Sequence, residues 1–131
     1  MKRLVLHIGH SKCASSTLQG YLTRNPILDK IGENKGVVRY IATNMAGKII
    51  QGEAMMQAAL VGNVFDFTLS DSDLLSNSAL FASVLSQIAQ ISGPDDTVVL
   101  SSEAWGNDSF VTPKVHQILN SAPLPIDVFM L

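Results

Sequence analysis

The residues best suited to chemistry lie in one segment near the amino terminus, residues 4–19, which read LVLHIGHSKCASSTLQ. An apolar run ends at Gly9, a loop containing Lys12 follows, and a Ser/Thr-rich stretch opens a helix. Amide groups in the first turn of a helix have no partner inside it, and the helix dipole adds positive potential there, so anions bind at that place. The order of strand, loop and helix start therefore predicts a phosphate-binding cradle.

The predicted cradle combines a cation, hydroxyl donors and backbone amides. Its residues are consecutive in the chain: Gly9, His10, Ser11, Lys12, Cys13, Ala14, Ser15, Ser16 and Thr17. Lys12 is either the cation of this site or an ordinary exposed lysine. His10 could face the bound group or solvent, and Cys13 could be a reactive thiol or a small buried side chain.

The loop differs from the common nucleotide-binding motif GxxxxGK[ST], because Lys12 follows Gly9 after two residues and no Ser or Thr follows the lysine directly. It resembles the 5'-phosphosulfate loop of the sulfotransferase family, written HIGxPKTGTTSLQ. The matching residues are His7, Ile8, Gly9, Lys12, Leu18 and Gln19, with hydroxyls kept at Ser15, Ser16 and Thr17. The departures are Ser11 for proline, Cys13 for threonine and Ala14 for glycine. Ala14 would be strained at a positive φ and unstrained in helical geometry.

The resemblance implies transfer of a sulfuryl group from 3'-phosphoadenosine 5'-phosphosulfate to a hydroxyl or amine on a small-molecule or carbohydrate acceptor, without a metal. Lys12 matches the family lysine that reaches the transferring oxygens. Glu103 matches the family's general base in its order along the chain, although it could instead cap a turn or pair with a lysine. In members of the family, an arginine and a serine that follow the strand matching residues 126–131 bind the 3'-phosphate. The sequence ends at Leu131, so we expect the amino-terminal part of a longer domain, with weak donor binding on its own.

Two other functions stay open for this sequence. A P-loop kinase or NTPase shares the order of strand, loop and helix and would bind ATP with magnesium, but the place of Lys12 disfavours it. A non-catalytic remnant of the fold would keep the loop without turnover.

Composition narrows the class of protein. A length of 131 residues with 47% hydrophobic and 15% charged residues predicts one globular domain with a sizeable core. A net charge of −2 with scattered basic residues argues against nucleic-acid binding, and one cysteine excludes an internal disulfide. No Cys/His spacing indicates a metal site. The first apolar run is too short for a secretion signal and no window is long enough for a membrane span, so we expect a cytoplasmic protein.

The apolar periods predict strands that alternate with helices. Strands are predicted over residues 4–8, 97–102 and 126–131, and a short strand or extended segment over 36–42. Helices are predicted over 17–24 with a further turn to 31, 52–61, 70–91 and 112–121. Turns are predicted over 32–35 and, from the tetrapeptide Gly-Pro-Asp-Asp, over 93–96. This alternation predicts an α/β fold with a three-layer parallel sheet and crossover helices. The resemblance implies the P-loop NTPase-like topology of sulfotransferases, here truncated. An uncovered last strand would favour self-association. His7, inside the first strand, is predicted to be a hydrogen-bonded core histidine.

Overall fold

The computed structural model describes seven ranges of the chain: residues 2–8, 15–29, 36–44, 46–62, 78–102, 120 and 124–130. The described residues form strands and helices, which in chain order are β1 (Arg3–Ile8), α1 (Ser15–Arg24), β2 (Ile27–Asp29), β3 (Val37–Tyr40), β4 (Ala42–Thr43), β5 (Ile49–Ile50), α2 (Gly52–Leu60), α3 (Ser78–Ile91), β6 (Thr97–Ser102) and β7 (Ile126–Met130). The predicted strands and the helices around residues 17–24, 52–61 and 78–91 are confirmed to within two residues at their described ends.

One sheet organises the described residues, with its strands in the order β2-β3-β6-β1-β7. The four strands β3, β6, β1 and β7 are parallel to their neighbours, whereas β2 runs antiparallel to β3. Strands β4 and β5 form a separate antiparallel pair. The predicted α/β class is therefore confirmed, whereas the antiparallel edge strand β2 departs from the parallel sheet that was predicted.

The prediction of a further helical turn after Arg24 is wrong, because β2 occupies this part of the chain. Asn25 still donates its amide to the carbonyl of Tyr21 at 3.0 Å, but Pro26 has no amide to continue the ladder and disfavours helical geometry in the residue before it. The Pro26 carbonyl instead accepts a hydrogen bond of 2.8 Å from the amide of Tyr40. The chain thus leaves the helix and joins the sheet edge.

The side chains of the central strands alternate between two apolar clusters, one on each face of the sheet. On one face, α3 packs its apolar stripe against β1 and β6, and the buried members are Leu4, Leu6, Ile41, Phe81, Val84, Leu85, Ile88, Val98, Leu100 and Leu124. On the other face, α1 and α2 meet β3 and β6 through Leu22, Tyr40, Ala42 and Met55, with Leu18 and Val99 packed against them. Helices therefore cover both faces, as the unbroken apolar run of β6 requires.

A buried carboxylate joins the amino-terminal ends of β3 and β6. Asp96 accepts hydrogen bonds from the backbone amides of Val37 at 3.0 Å and Gly93 at 2.8 Å, and from Nε of Arg39 at 2.8 Å. Burial alone would raise the pKa of Asp96, but the hydrogen bond from Arg39, the two amides and the charge of Arg39 outweigh it and lower the pKa from 3.8 to about 2. Asp96 therefore stays ionised and holds the turn after α3 against β3.

Several predicted features lie outside the described residues. They are the loop over residues 9–14, the turn over 32–35, the helix start over 70–77, Glu103 and most of the helix over 112–121. Within the described ranges, the helices are too short or too polar to cross a membrane.

Candidate functional site

Strand β1 and helix α1 frame the predicted cradle. Strand β1 ends at Ile8 and α1 begins at Ser15, so a strand precedes the six loop positions and a helix follows them, as predicted. Six of the predicted contact residues lie outside the described residues, namely Gly9, His10, Ser11, Lys12, Cys13 and Ala14. Ser15 and Ser16 open the first turn of α1, and Thr17, in the same turn, is exposed. Their roles toward an anion stay predictions.

Strands β1 and β6 end side by side at one edge of the sheet. Ile8 and Ser102, the last residue of each strand, are register partners in the parallel pair. Paired parallel strands lie about 4.8 Å apart, so the ends of β1 and β6 are neighbours at this edge. Glu103 itself lies outside the described residues, and its role stays a prediction.

Three buried polar side chains connect α1 to these two strand ends. His7 and Ser101 are register partners one residue before the ends of β1 and β6. Nδ1 of His7 lies 2.7 Å from Oγ of Ser101, and Nε2 of Gln19 donates to the same Oγ at 3.0 Å. The exposed fractions are only 5% for His7, 4% for Gln19 and 1% for Ser101. We call these residues the polar trio, and the prediction of a hydrogen-bonded core His7 is confirmed.

The polar trio lies on the sheet face that α1 covers. Ser101 alternates with Leu100 and therefore shares the face of Val99, which packs against α1. One turn after Gln19, the hydroxyl of Thr23 donates to the Gln19 carbonyl at 2.6 Å, and Leu22 packs in the apolar cluster below. The packing of Leu22 and the hydrogen bond from Gln19 to Ser101 thus hold α1 over the strand ends.

No family model, curated protein or solved structure matches the chain. The fold alone does not assign a function, since one fold hosts many chemistries. A function has to be inferred from the residues at the carboxyl edge of the sheet, where ligands bind in open parallel α/β sheets.

Other polar and concave features offer less to a ligand. The hydroxyl of Thr43 is fully buried and has no hydrogen-bond partner in the described part of the chain. A surface cavity of about 250 Å³ lies at the carboxyl end of α1, away from its first turn, and is lined by Arg24, Glu53, Met56, Gln57, Ala59 and Leu60. In the ranges that the structure describes, no three His, Cys, Asp or Glu side chains are grouped as metal ligands.

Sequence reasoning missed the roles of Ser101 and Gln19. Gln19 was identified only as a match to the loop motif, and Ser101 only as a residue at the end of a predicted strand. No hydrogen-bond partner was predicted for either. The pairing depends on the register between β1 and β6, which are more than 90 residues apart. The available signal was the presence of polar residues in a predicted helix and two predicted strands, because polar groups that become buried there are almost always hydrogen-bonded.

Proposed function

We propose that the chain is a sulfotransferase-type domain that binds 3'-phosphoadenosine 5'-phosphosulfate at the carboxyl edge of its sheet. Lys12, the amides of residues 9–14 and the hydroxyls of Ser15, Ser16 and Thr17 bind the phosphosulfate, and Glu103 acts as general base. The acceptor is a hydroxyl or amine on a small molecule or carbohydrate, and the topology is the three-layer, P-loop NTPase-like one.

The observation that carries the proposal is the register pair of Ile8 and Ser102. The ends of β1 and β6 are neighbours, and in the sequence the predicted anion loop directly follows one end and the predicted base directly follows the other, 94 residues later. In the proposed site, the loop holds the donor and Glu103 lies within hydrogen-bond reach of the acceptor proton, as general-base chemistry requires.

The strand order also supports the proposal. Counted along the chain, the parallel strands are β1, β3, β6 and β7, and in the sheet β1 lies between the third and the fourth of them. The connection that follows β1 leads toward β3, whereas the connection that follows β6 leads across β1 to β7. Ligands bind where the connections from two adjacent parallel strands run in opposite directions along the sheet, as those from β1 and β6 do.

The chemistry assigned to these residues is mostly electrostatic. The acceptor oxygen or nitrogen bonds to sulfur while the bond from sulfur to the phosphate oxygen breaks, and 3'-phosphoadenosine 5'-phosphate leaves. Charge spreads over the sulfuryl oxygens and the leaving oxygen, where Lys12 and the first-turn amides of α1 stabilise it. Glu103 accepts the proton that the acceptor loses.

The test is calorimetric titration of the chain with 3'-phosphoadenosine 5'-phosphate. We expect weak but measurable binding by the unaltered chain and an affinity at least tenfold lower in Lys12→Ala, because the substitution removes the cation of the proposed anion site. Lys2→Ala is the matched control, since Lys2 precedes the other end of β1 and donates to the Ala89 carbonyl on α3. Equal affinities of the unaltered chain and Lys12→Ala would refute the assignment.

The same titration separates the competing functions. Tight binding of ATP only in the presence of magnesium would indicate a P-loop kinase or NTPase, whose sheet has the same order of strand, loop and helix. Binding of neither nucleotide by a folded chain would indicate a non-catalytic remnant. Binding of the desulfated donor without magnesium is the result that the sulfotransferase proposal requires.

A further inference from the structure

We propose that the polar trio is a positioning device, in which the Ser101 hydroxyl holds Gln19 and thereby sets the height of the first turn of α1 above the strand ends. This inference rests on the proposed function, because the first turn is the part of α1 that is assigned to the phosphosulfate. The three residues act on the ligand only through the helix.

The location of the polar trio is the first observation that supports this inference. Ser15, the first residue of α1, precedes Gln19 by four residues, which is about 6 Å along a helix. Ser101 and His7 precede the ends of their strands by one residue each. The trio therefore lies one helical turn below the predicted anion site, where a small shift of α1 displaces the first-turn amides.

The hydrogen-bonding capacity of a serine hydroxyl also supports the inference. A hydroxyl has one proton and two lone pairs, so the single Oγ of Ser101 can serve both Gln19 and His7. Gln19 is the helix side of this junction, and Ser101 and His7 are the strand side. Removing Oγ therefore removes the hydrogen bond between α1 and β6 and the one between β6 and β1 at the same time, and it leaves the buried Gln19 amide without this acceptor.

The free-energy cost of burying three polar side chains is the third argument for a positioning role. Apolar side chains would pack at these three positions without the desolvation penalty that polar groups incur. Hydrogen bonds add a direction that apolar packing lacks, and group transfer depends steeply on the positions of the groups involved, since a misplacement of about 1 Å can lower the rate up to a hundredfold. Three polar groups directly below a predicted anion site therefore fit a positioning role.

Ser101→Ala and Ser92→Ala form the matched pair that tests the inference. Both remove the hydroxyl of a buried serine, but Ser92 lies before the opposite end of β6, where its Oγ donates to the Ile88 carbonyl on its own helix. We expect Ser101→Ala to bind 3'-phosphoadenosine 5'-phosphate about tenfold more weakly than the unaltered chain, and Ser92→Ala to bind it within about twofold. Hydrogen exchange of the amides over residues 17–20 should be faster in Ser101→Ala alone.

A second variant keeps the inference testable if Ser101→Ala does not fold. Gln19→Met preserves the length of the side chain and the helix propensity but removes the amide, so it cuts α1 from Ser101 and leaves the Ser101 and His7 pair in place. The same loss of affinity and of exchange protection is expected. If each variant that folds binds as tightly as Ser92→Ala, the inference is wrong while the proposed function stands. If the unaltered chain itself does not bind, the proposed function fails and the inference fails with it.

Discussion

A Gly36→Ala substitution is expected to lower the free energy of unfolding by about 3 kcal/mol or more, which is the upper range for overpacking a rigid site. Gly36 precedes β3, and a Cβ at this position would overlap the backbone carbonyl of Asp95 and lie 3.0 Å from the amide nitrogen of Asp96. Because these atoms belong to the backbone of the turn before β6, no side-chain rotation relieves the overlap. The start of β3 would have to move away from β6.

Gly20→Ala is the control for this prediction. Gly20 lies inside α1, where the nearest atom to an added Cβ is a terminal nitrogen of Arg24 at 3.4 Å, the end of a flexible side chain. Alanine in a helix interior stabilises by about 0.5 to 1 kcal/mol relative to glycine. The two substitutions should thus shift the midpoint of chemical denaturation in opposite directions. A stable Gly36→Ala protein would contradict the close approach of the two backbones.

The elements that sequence predicts well here are those with a sustained apolar period. The stripe of α3, with Phe81, Val84, Leu85 and Ile88, recurs at helical spacing, and all four side chains are buried in one cluster. The β-branched run of β6 likewise becomes a central strand. Both follow from local sequence because burial of an apolar face decides them.

The features that sequence did not predict depend on contacts between distant segments. Strand β2 has three residues, and only its pairing with β3 makes it a strand. The turn over residues 93–96 was predicted from glycine and proline, but the role of Asp96 depends on β3, 57 residues earlier at Arg39. The periodicity of apolar residues does not predict which polar side chain connects two strand ends.

The candidate site likewise has one part that local sequence predicts and one part that depends on contacts between distant segments. The order of strand, loop and helix around residues 9–14 was predictable, because each of its parts has a local pattern and the bounds of β1 and α1 agree with it. The polar trio was not, since the register that pairs His7 with Ser101 is a property of the whole sheet. Sequence therefore predicted where an anion could bind and not what holds the binding helix in place.

Asp96→Ala is expected to lower the free energy of unfolding by about 3 kcal/mol, which is the lower range for breaking a buried ion pair. The lower range applies because the Arg39 side chain keeps 29% of its surface exposed, whereas Asp96 keeps 8%. The substitution also leaves the amides of Val37 and Gly93 without their acceptor. Asp95→Ala, at the neighbouring exposed carboxylate, is the control and should cost about 1 kcal/mol or less.

Acid unfolding of the unaltered chain gives Asp96 a second readout. Its pKa is about 2 in the folded chain against an ordinary 3.8, so ionisation favours folding by up to about 2 kcal/mol above pH 4. This contribution declines as the pH falls below 3.8 and is lost as it falls through about 2. The free energy of unfolding should therefore fall between pH 6 and pH 2. This fall should be about 2 kcal/mol smaller for Asp96→Ala than for the unaltered chain or for Asp95→Ala. An equal difference in all three proteins would mean that Asp96 has no such partners in solution, and the junction between β3 and β6 would then have to depend on packing alone.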